Sequence, residues 1–202
     1  RTPSLPGKPS LLWHVCPRDA TERERATPRN RIEFGAVSRR LTPPMSQVRR
    51  VLVEKKPGFD VAARGLLEDL RENVGIRGLE GLRVLIRYDV AGLSDEEYRI
   101  ARQTIFAEPP VDEVYDERAP IASDEAVFAV EYLPGQYDQR ADSAAQCIQI
   151  VTRRQPPVVQ AAQVLVLRGR LSPEDVAAIK KYCINPVDSR EAALEKPSTL
   201  DW

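Results

Sequence analysis

The densest run of side chains able to recognise a partner or ligand lies in EYLPGQYDQRAD, residues 131–142. Glu131, Gln136, Tyr137, Asp138, Arg140 and Asp142 place acceptors, donors and both signs of charge within one turn and the start of a helix. Polar residues on a loop held between rigid elements commonly contact partners. The local account of the same residues is turn chemistry: Asp138 caps the helix, and Arg140 and Asp142 are surface charges. Arg190, next to Glu191, is a further polar position of this kind. None of these is a catalytic constellation. A nucleophilic thiol needs a nearby base; Cys147 and Cys183 lie in the strongly patterned part of the chain, whereas the single histidine, His14, lies near its beginning. Cys147, beside the apolar stripe of its helix, and Cys183 read as small core residues. There is no CxxC pair to suggest zinc and no GxxxxGK[ST] phosphate loop. Asp95-Glu96-Glu97 read as acids in the first turn of a helix, and Glu113, Asp116 and Glu117 as a solvated loop edge. No catalytic residue and no metal site are expected.

Composition sets the frame for these residues. The chain has 202 residues, 42% hydrophobic and 30% charged, enough to bury a core as a soluble globular protein. No apolar run approaches the roughly 20 residues that span a bilayer. The formal net charge is zero but uneven: residues 1–44 carry 9 Lys+Arg against 4 Asp+Glu, leaving 21 against 26 for the remainder. A weakly acidic body speaks against nucleic acid as the main partner. Three dispersed cysteines fit a reducing compartment, so the location expected is cytoplasmic.

The elements that must carry the polar turn emerge from Val48 onward. Val51 and Val53 mark a strand, Pro57-Gly58 a turn, and Asp60 a cap for a helix with the stripe Ala63, Leu66, Leu67, Leu70 and Val74. Gly75 stops that helix. Leu82, Val84 and Ile86 form a second strand; Ser94 and Glu97 form a capping box before Tyr98, Ala101 and Ile105; a third strand covers 111–115. The order then returns. A strand at 126–133 leads to a helix at 139–152 with the stripe Ala141, Ala144, Ile148 and Val151. Next come a strand at 160–168 and a helix after Ser172-Pro173 with Val176, Ile179 and Tyr182 inward. Val53-Glu54 with Pro57-Gly58 matches Val130-Glu131 with Pro134-Gly135, and Leu93-Ser94 matches Leu171-Ser172. The offset, about 77 residues, is that of a tandem duplication. The expected fold is α+β: two tandem ferredoxin-like βαβαβ repeats forming a pseudo-dimer with antiparallel sheets, one at 46–116 and one at 117–188. Residues 1–45 read as a disordered leader, with Met45 as the native start, and residues 189–202 as a truncated linker.

Four runs carry a family likeness: VEKKPGFDVAARGLL at 53–67, EPPVDEVYDE at 108–117, FAVEYLPGQYDQRADSAAQCIQ at 128–149 and INPVDSREAALEKP at 184–197. They resemble the N-terminal region of the large single-chain phosphoribosylformylglycinamidine synthase. The resemblance implies a fragment of a C–N ligase of purine biosynthesis that uses ATP, magnesium and glutamine in the full-length enzyme. It implies that this fragment binds no cofactor of its own and is inactive alone. It also implies a scaffold and coupling role, with the synthetase and glutaminase domains of the same enzyme as partners, and neither nucleic acid nor membrane. In that reading Glu131, Gln136, Tyr137, Asp138, Arg140, Asp142 and Arg190 are interface residues. The alternative is a free-standing regulatory module that binds a small molecule at the seam between its two copies.

Overall fold

The computed structural model describes residues 47–200; the expected leader at 1–45, with His14, Cys16 and Met45, lies outside the described residues. The order is β1(Arg49–Lys55), α1(Val61–Glu72), β2(Leu79–Ala91), α2(Asp95–Thr104), β3(Asp112–Asp116), β4(Ala126–Tyr132), α3(Gln139–Thr152), β5(Val158–Gly169), α4(Pro173–Cys183) and β6(Ser189–Ala192). The α+β class is therefore as read from the sequence. The six strands make one antiparallel sheet in the order β3-β1-β2-β5-β4-β6. Its backbone joint is the pairing of the two longest strands, from Leu79 opposite Gly169 to Ala91 opposite Val158.

The register has a regular displacement. Val53 faces Ile86 in β2 and Val114 in β3. Val130 faces Gln163 in β5 and Glu191 in β6. Each member of the second set stands 77 positions after its counterpart (53 to 130, 86 to 163, 114 to 191). Across the joint, Ile86 faces Gln163, the residue displaced from it by the same 77.

Strand alternation assigns the two faces. Val51, Val53, Leu82 and Val90 point toward the helices with Phe128, Leu165 and Leu167. On that face α1 and α4 share one cluster, through Leu70 and Ile179, and α2 and α3 share another, through Ala101, Ala144 and Ile148. The opposite face carries Leu52, Leu85, Ala129, Val164, Val166 and Ala192, and no helix supplies a member of this cluster. Their burial comes from chain laid over them. Ala119 packs there, Arg83 donates to the Pro120 carbonyl, and Arg87 and Arg50 donate to the carbonyls of Ala193 and Leu194.

Local signals account for most element boundaries. Pro57-Gly58 and Pro134-Gly135 form matching turns: Phe59 N–H donates to the Lys56 carbonyl and Gln136 N–H to the Leu133 carbonyl, at 2.9 and 3.0 Å. Gly58 and Gly135 have φ of 93° and 88°, the value that favours glycine at the third position of a type II turn. Both expected serine starts hold: Ser94 with Glu97 and Ser172 with Asp175 are reciprocal capping boxes. Asp60 departs from expectation, because its carboxylate accepts from Gly58 N–H and pairs with Arg64 instead of capping α1. Strands β3 and β5 also differ slightly from the expected 111–115 and 160–168. Residues 189–192, expected in a linker, form the edge strand β6.

Some inward assignments are corrected. Val151 and Tyr182, on the expected stripes, are 51% and 48% exposed, and Cys147, expected in the core, is exposed. Val151 and Tyr182 lie in the last turns of α3 and α4, at positions turned to solvent. Cys147 stands one position before the fully buried Ile148, about 100° away around the helix.

Leu85 tests whether the helix-free face is sealed, since its side chain is fully buried there. Leu85→Ala is expected to lower the unfolding free energy by about 2–5 kcal/mol, measured by urea denaturation with far-UV circular dichroism. A change within ~0.5 kcal/mol, the size of an ordinary surface substitution, would show that the face is open to water.

Candidate interaction face

The residues singled out from the sequence separate into three settings. Asp138 is the N-cap of α3, its Oδ1 accepting from the backbone N–H groups of Arg140 at 2.9 Å and Ala141 at 3.1 Å. This is the local role anticipated for it. Gln136 closes the preceding turn through its backbone. Tyr137, 69% exposed, donates its hydroxyl to Asp142 Oδ2 at 2.7 Å, and Gln146 donates to the same oxygen. That bond to Asp142 pushes the Tyr137 phenol above its ordinary pKa. The turn is thus an ordered polar knob at the end of β4.

Glu131 and Arg190 belong to a second setting, across the β4–β6 edge. They are directly paired in register, and Arg190 donates from Nε to Glu131 Oε1 at 2.8 Å. The other Glu131 oxygen lies 4.0 Å from Arg87 on β2. This pair forms the rim of a buried charge cluster that the sequence reading did not single out. Arg50 and Asp89 are opposite each other on β1 and β2, 5% and 2% exposed. Arg50 donates to both Asp89 oxygens, at 2.7 and 2.8 Å, in a bidentate fork. Arg87 approaches the same carboxylate at 3.3 Å. Burial pulls the Arg87 guanidinium below its ordinary pKa, and Asp89 pulls it back.

The guanidinium donors left over reach the chain after β6. Arg50 donates to the carbonyls of Leu194 and Glu195 at 2.6 and 3.1 Å, and Arg87 to that of Ala193 at 2.7 Å. Lys196 pairs with Glu117 at 2.7 Å, and Leu200 ends this strap in a buried cluster with Val48 and Ala91. Glu117 and Asp116, expected at a solvated loop edge, are therefore engaged; Asp116 accepts from Tyr98 and Arg102. The missed signal was two charged residues at inward-facing positions of apolar strands, RRVLVEK and RYDVA. Alternation alone does not reveal that the two meet.

Arg140 occupies the third setting. Its side chain lines a cleft of about 980 Å³ on the helix-bearing face, together with Tyr88, Ile86 and Gln163. An adjoining cavity of about 390 Å³ is lined by Arg140, Tyr88, Ser143 and Cys147. Among the described residues no group of three or more His, Cys, Asp or Glu could hold a metal ion, and no helix is long and apolar enough to cross a membrane. No protein-family model matches the chain, and no curated protein matches it.

Removing Asp89 leaves the Arg50 guanidinium without a counter-charge and Arg87 with only the more distant Glu131. Asp89→Ala is expected to cost about 3–5 kcal/mol and to loosen the strap, so that endoproteinase Glu-C cuts after Glu195 faster than in the unaltered chain. Equal cutting rates at conditions where both proteins stay folded would show that the strap is held by other means. The two thiols are expected to part company as well. Burial pushes Cys183 up to about 11, whereas Cys147 is exposed. At pH 8 Cys147 should be alkylated by iodoacetamide roughly tenfold or more faster, read by peptide mass spectrometry, with the gap narrowing as pH approaches 11. Equal rates at pH 8 would contradict the buried setting of Cys183.

Proposed function

We propose that this chain is an N-terminal scaffold and coupling region of a phosphoribosylformylglycinamidine synthase, built from two tandem ferredoxin-like βαβαβ repeats that pair as a pseudo-dimer. The observation that carries the reading is the register. The pairing around Val53, Ile86 and Val114 recurs 77 positions later around Val130, Gln163 and Glu191. At the joint, Ile86 lies opposite its own counterpart, as a two-fold axis through the β2–β5 pair requires. A single repeat ending at β2 would leave a strand of 13 residues as an open edge; β5 covers it along its length. The family likeness of the four runs supplies the particular enzyme, and it too is a likeness to a doubled unit.

In this reading the Tyr137–Asp142 knob and the Glu131–Arg190 pair face the synthetase and glutaminase domains. They suit docking because their geometry is fixed beforehand: Asp138 is held by the α3 N–H groups and Glu131 by the β6 arginine, so little side-chain freedom is lost on association. ATP, magnesium and glutamine chemistry belongs to the partner domains. The region's contribution is placement.

The test is reconstitution. The purified chain is mixed with the remainder of a synthase of this type, and formation of the formylglycinamidine product is followed with ATP, magnesium and glutamine. Restored glutamine-dependent turnover is expected, reduced roughly tenfold or more by Tyr137→Ala with Arg190→Ala. Absence of binding to the synthase remainder, or turnover by the isolated chain, would overturn the scaffold reading.

A further inference from the structure

The helix-bearing face has an unfilled centre. Helices α1 and α4 pack over one end of the sheet and α2 and α3 over the other. Between these clusters Val84, Ile86, Tyr88 and Gln163 remain half-buried as the floor of the cleft of about 980 Å³. Such a volume is in the range of small-molecule sites. The floor includes the Ile86–Gln163 pair at the β2–β5 joint, so the cleft sits on the seam of the sheet. Its walls come from the first residues of α1, from Ile105–Ala107 after α2 and from Arg140 in the first turn of α3.

The chemistry of the lining is one-sided. Val84 and Ile86 offer a flat apolar surface, and the Tyr88 ring stacks beside Phe106 with centroids 4.9 Å apart at 35°. Besides the carboxylates of Glu108 and Glu113, three polar groups of the lining have no hydrogen-bond or ion-pair partner among the described residues: the Tyr88 hydroxyl, the Gln163 amide and the Arg140 guanidinium. Burial raises the Tyr88 pKa further above neutrality; the phenol is a donor at neutral pH in any case. Other cations of the lining are engaged: Lys55 pairs with Asp112, Lys56 donates to the Pro109 carbonyl and Arg83 pairs with Glu54. Among the described residues of the lining, Arg140 is the cation left for a ligand. The exposed acids Glu108 and Glu113 stand by β3; they repel an anion from that end and leave the α3 end for it.

We propose that this cleft binds a planar aromatic small molecule bearing one anionic group. The ring lies on Val84 and Ile86 against the Tyr88–Phe106 pair, and the anion meets Arg140, with Tyr88 and Gln163 donating to polar atoms between. The site adjoins the polar knob through the first turn of α3, and it assigns Arg140, expected at the interface, to the cleft instead. Its position on the seam lets a ligand touch α1, β2, β5 and α3 at once.

Two fluorescent probes of nearly the same shape test the proposal on the full chain. 8-Anilinonaphthalene-1-sulfonate carries the anion, and N-phenyl-1-naphthylamine lacks it. Saturable binding of the sulfonate at one site per chain is expected. Arg140→Gln, at an exposed side chain, should weaken the sulfonate about tenfold and leave the uncharged probe within about twofold of its original affinity. Ala62→Trp, at an exposed wall position, should weaken both probes by occupying the cleft. Far-UV circular dichroism checks that both variants keep the fold. Non-saturable binding, or sulfonate affinity unchanged in either folded variant, would overturn the assignment.

Discussion

The arrangement depends first on a carboxylate that is almost completely removed from water. Asp89 sits on a central strand, 2% exposed, on the face without helices. An isolated ionised carboxylate there would be costly, because the low-dielectric interior does not replace its hydration. Arg50 meets it bidentately and Arg87 approaches from the same strand, so the burial is compensated by geometry. The two arginines then face the same problem in reverse. With one carboxylate between them, their remaining N–H groups need acceptors. These are the carbonyls of Ala193, Leu194 and Glu195. The path of the strap is a consequence of this accounting: it lies where it satisfies donors that Asp89 leaves over. Apolar replacement of a buried ion-pair cluster is often neutral for stability, yet here it would remove the donors that hold the strap carbonyls.

The two faces of the sheet are closed by different physics. On one, four amphipathic helices bury apolar stripes, and non-directional packing does the closing. On the other, loop and strap lie over a small apolar patch and are fixed by directed bonds from Arg50, Arg83 and Arg87. Directed bonds tolerate polar backbone close to a core, as packing alone does not, since buried carbonyls need partners. This explains why a segment as charged as residues 188–196 can complete the burial of Leu85 and Val164. It also explains why the helix-bearing face keeps a cleft. Rigid cylinders that cross the sheet at its two ends cannot follow its middle, whereas an extended chain can.

The parts of the structure legible in sequence are those set by neighbours along the chain. Ser94 with Glu97 and the Asp138 cap of α3 are contacts within three residues and agree with the sequence reading; Ser172 begins α4 as expected, while its pairing with Asp175 is added by the structure. The Pro-Gly turns and the α3 limits follow for the same reason. Errors arise where a local pattern meets a tertiary boundary. The apolar stripes of α3 and α4 run on through Val151 and Tyr182, but those positions are exposed. Asp60 resembles Asp138 in placement, yet Arg64 one turn later offers its carboxylate a different partner. The buried cluster was illegible on principle: Arg50 and Asp89 are 39 positions apart, and their meeting depends on the β1–β2 register. Among the singled-out residues, Asp138 was understood and Glu131 with Arg190 were named without their pairing, because β6 lay in a stretch read as linker.

One strand links the regions with chemical potential. β4 presents Glu131 to the helix-free face, where it joins Arg190 and approaches Arg87. The same strand runs into the turn that fixes Tyr137 and Asp138, and the α3 so capped carries Arg140 over the cleft. The charge cluster, the polar knob and the cleft wall therefore share a short covalent path of about ten residues with little slack, since each end is bonded to a different strand or helix. A shift in α3 would be transmitted through the Asp138 cap to the end of β4. The Glu131–Arg190 pair would resist it on one side and the Asp89 cluster on the other. The polar turn is anchored at both flanks, by the Asp138 cap on α3 and by the Glu131–Arg190 pair across β4 and β6.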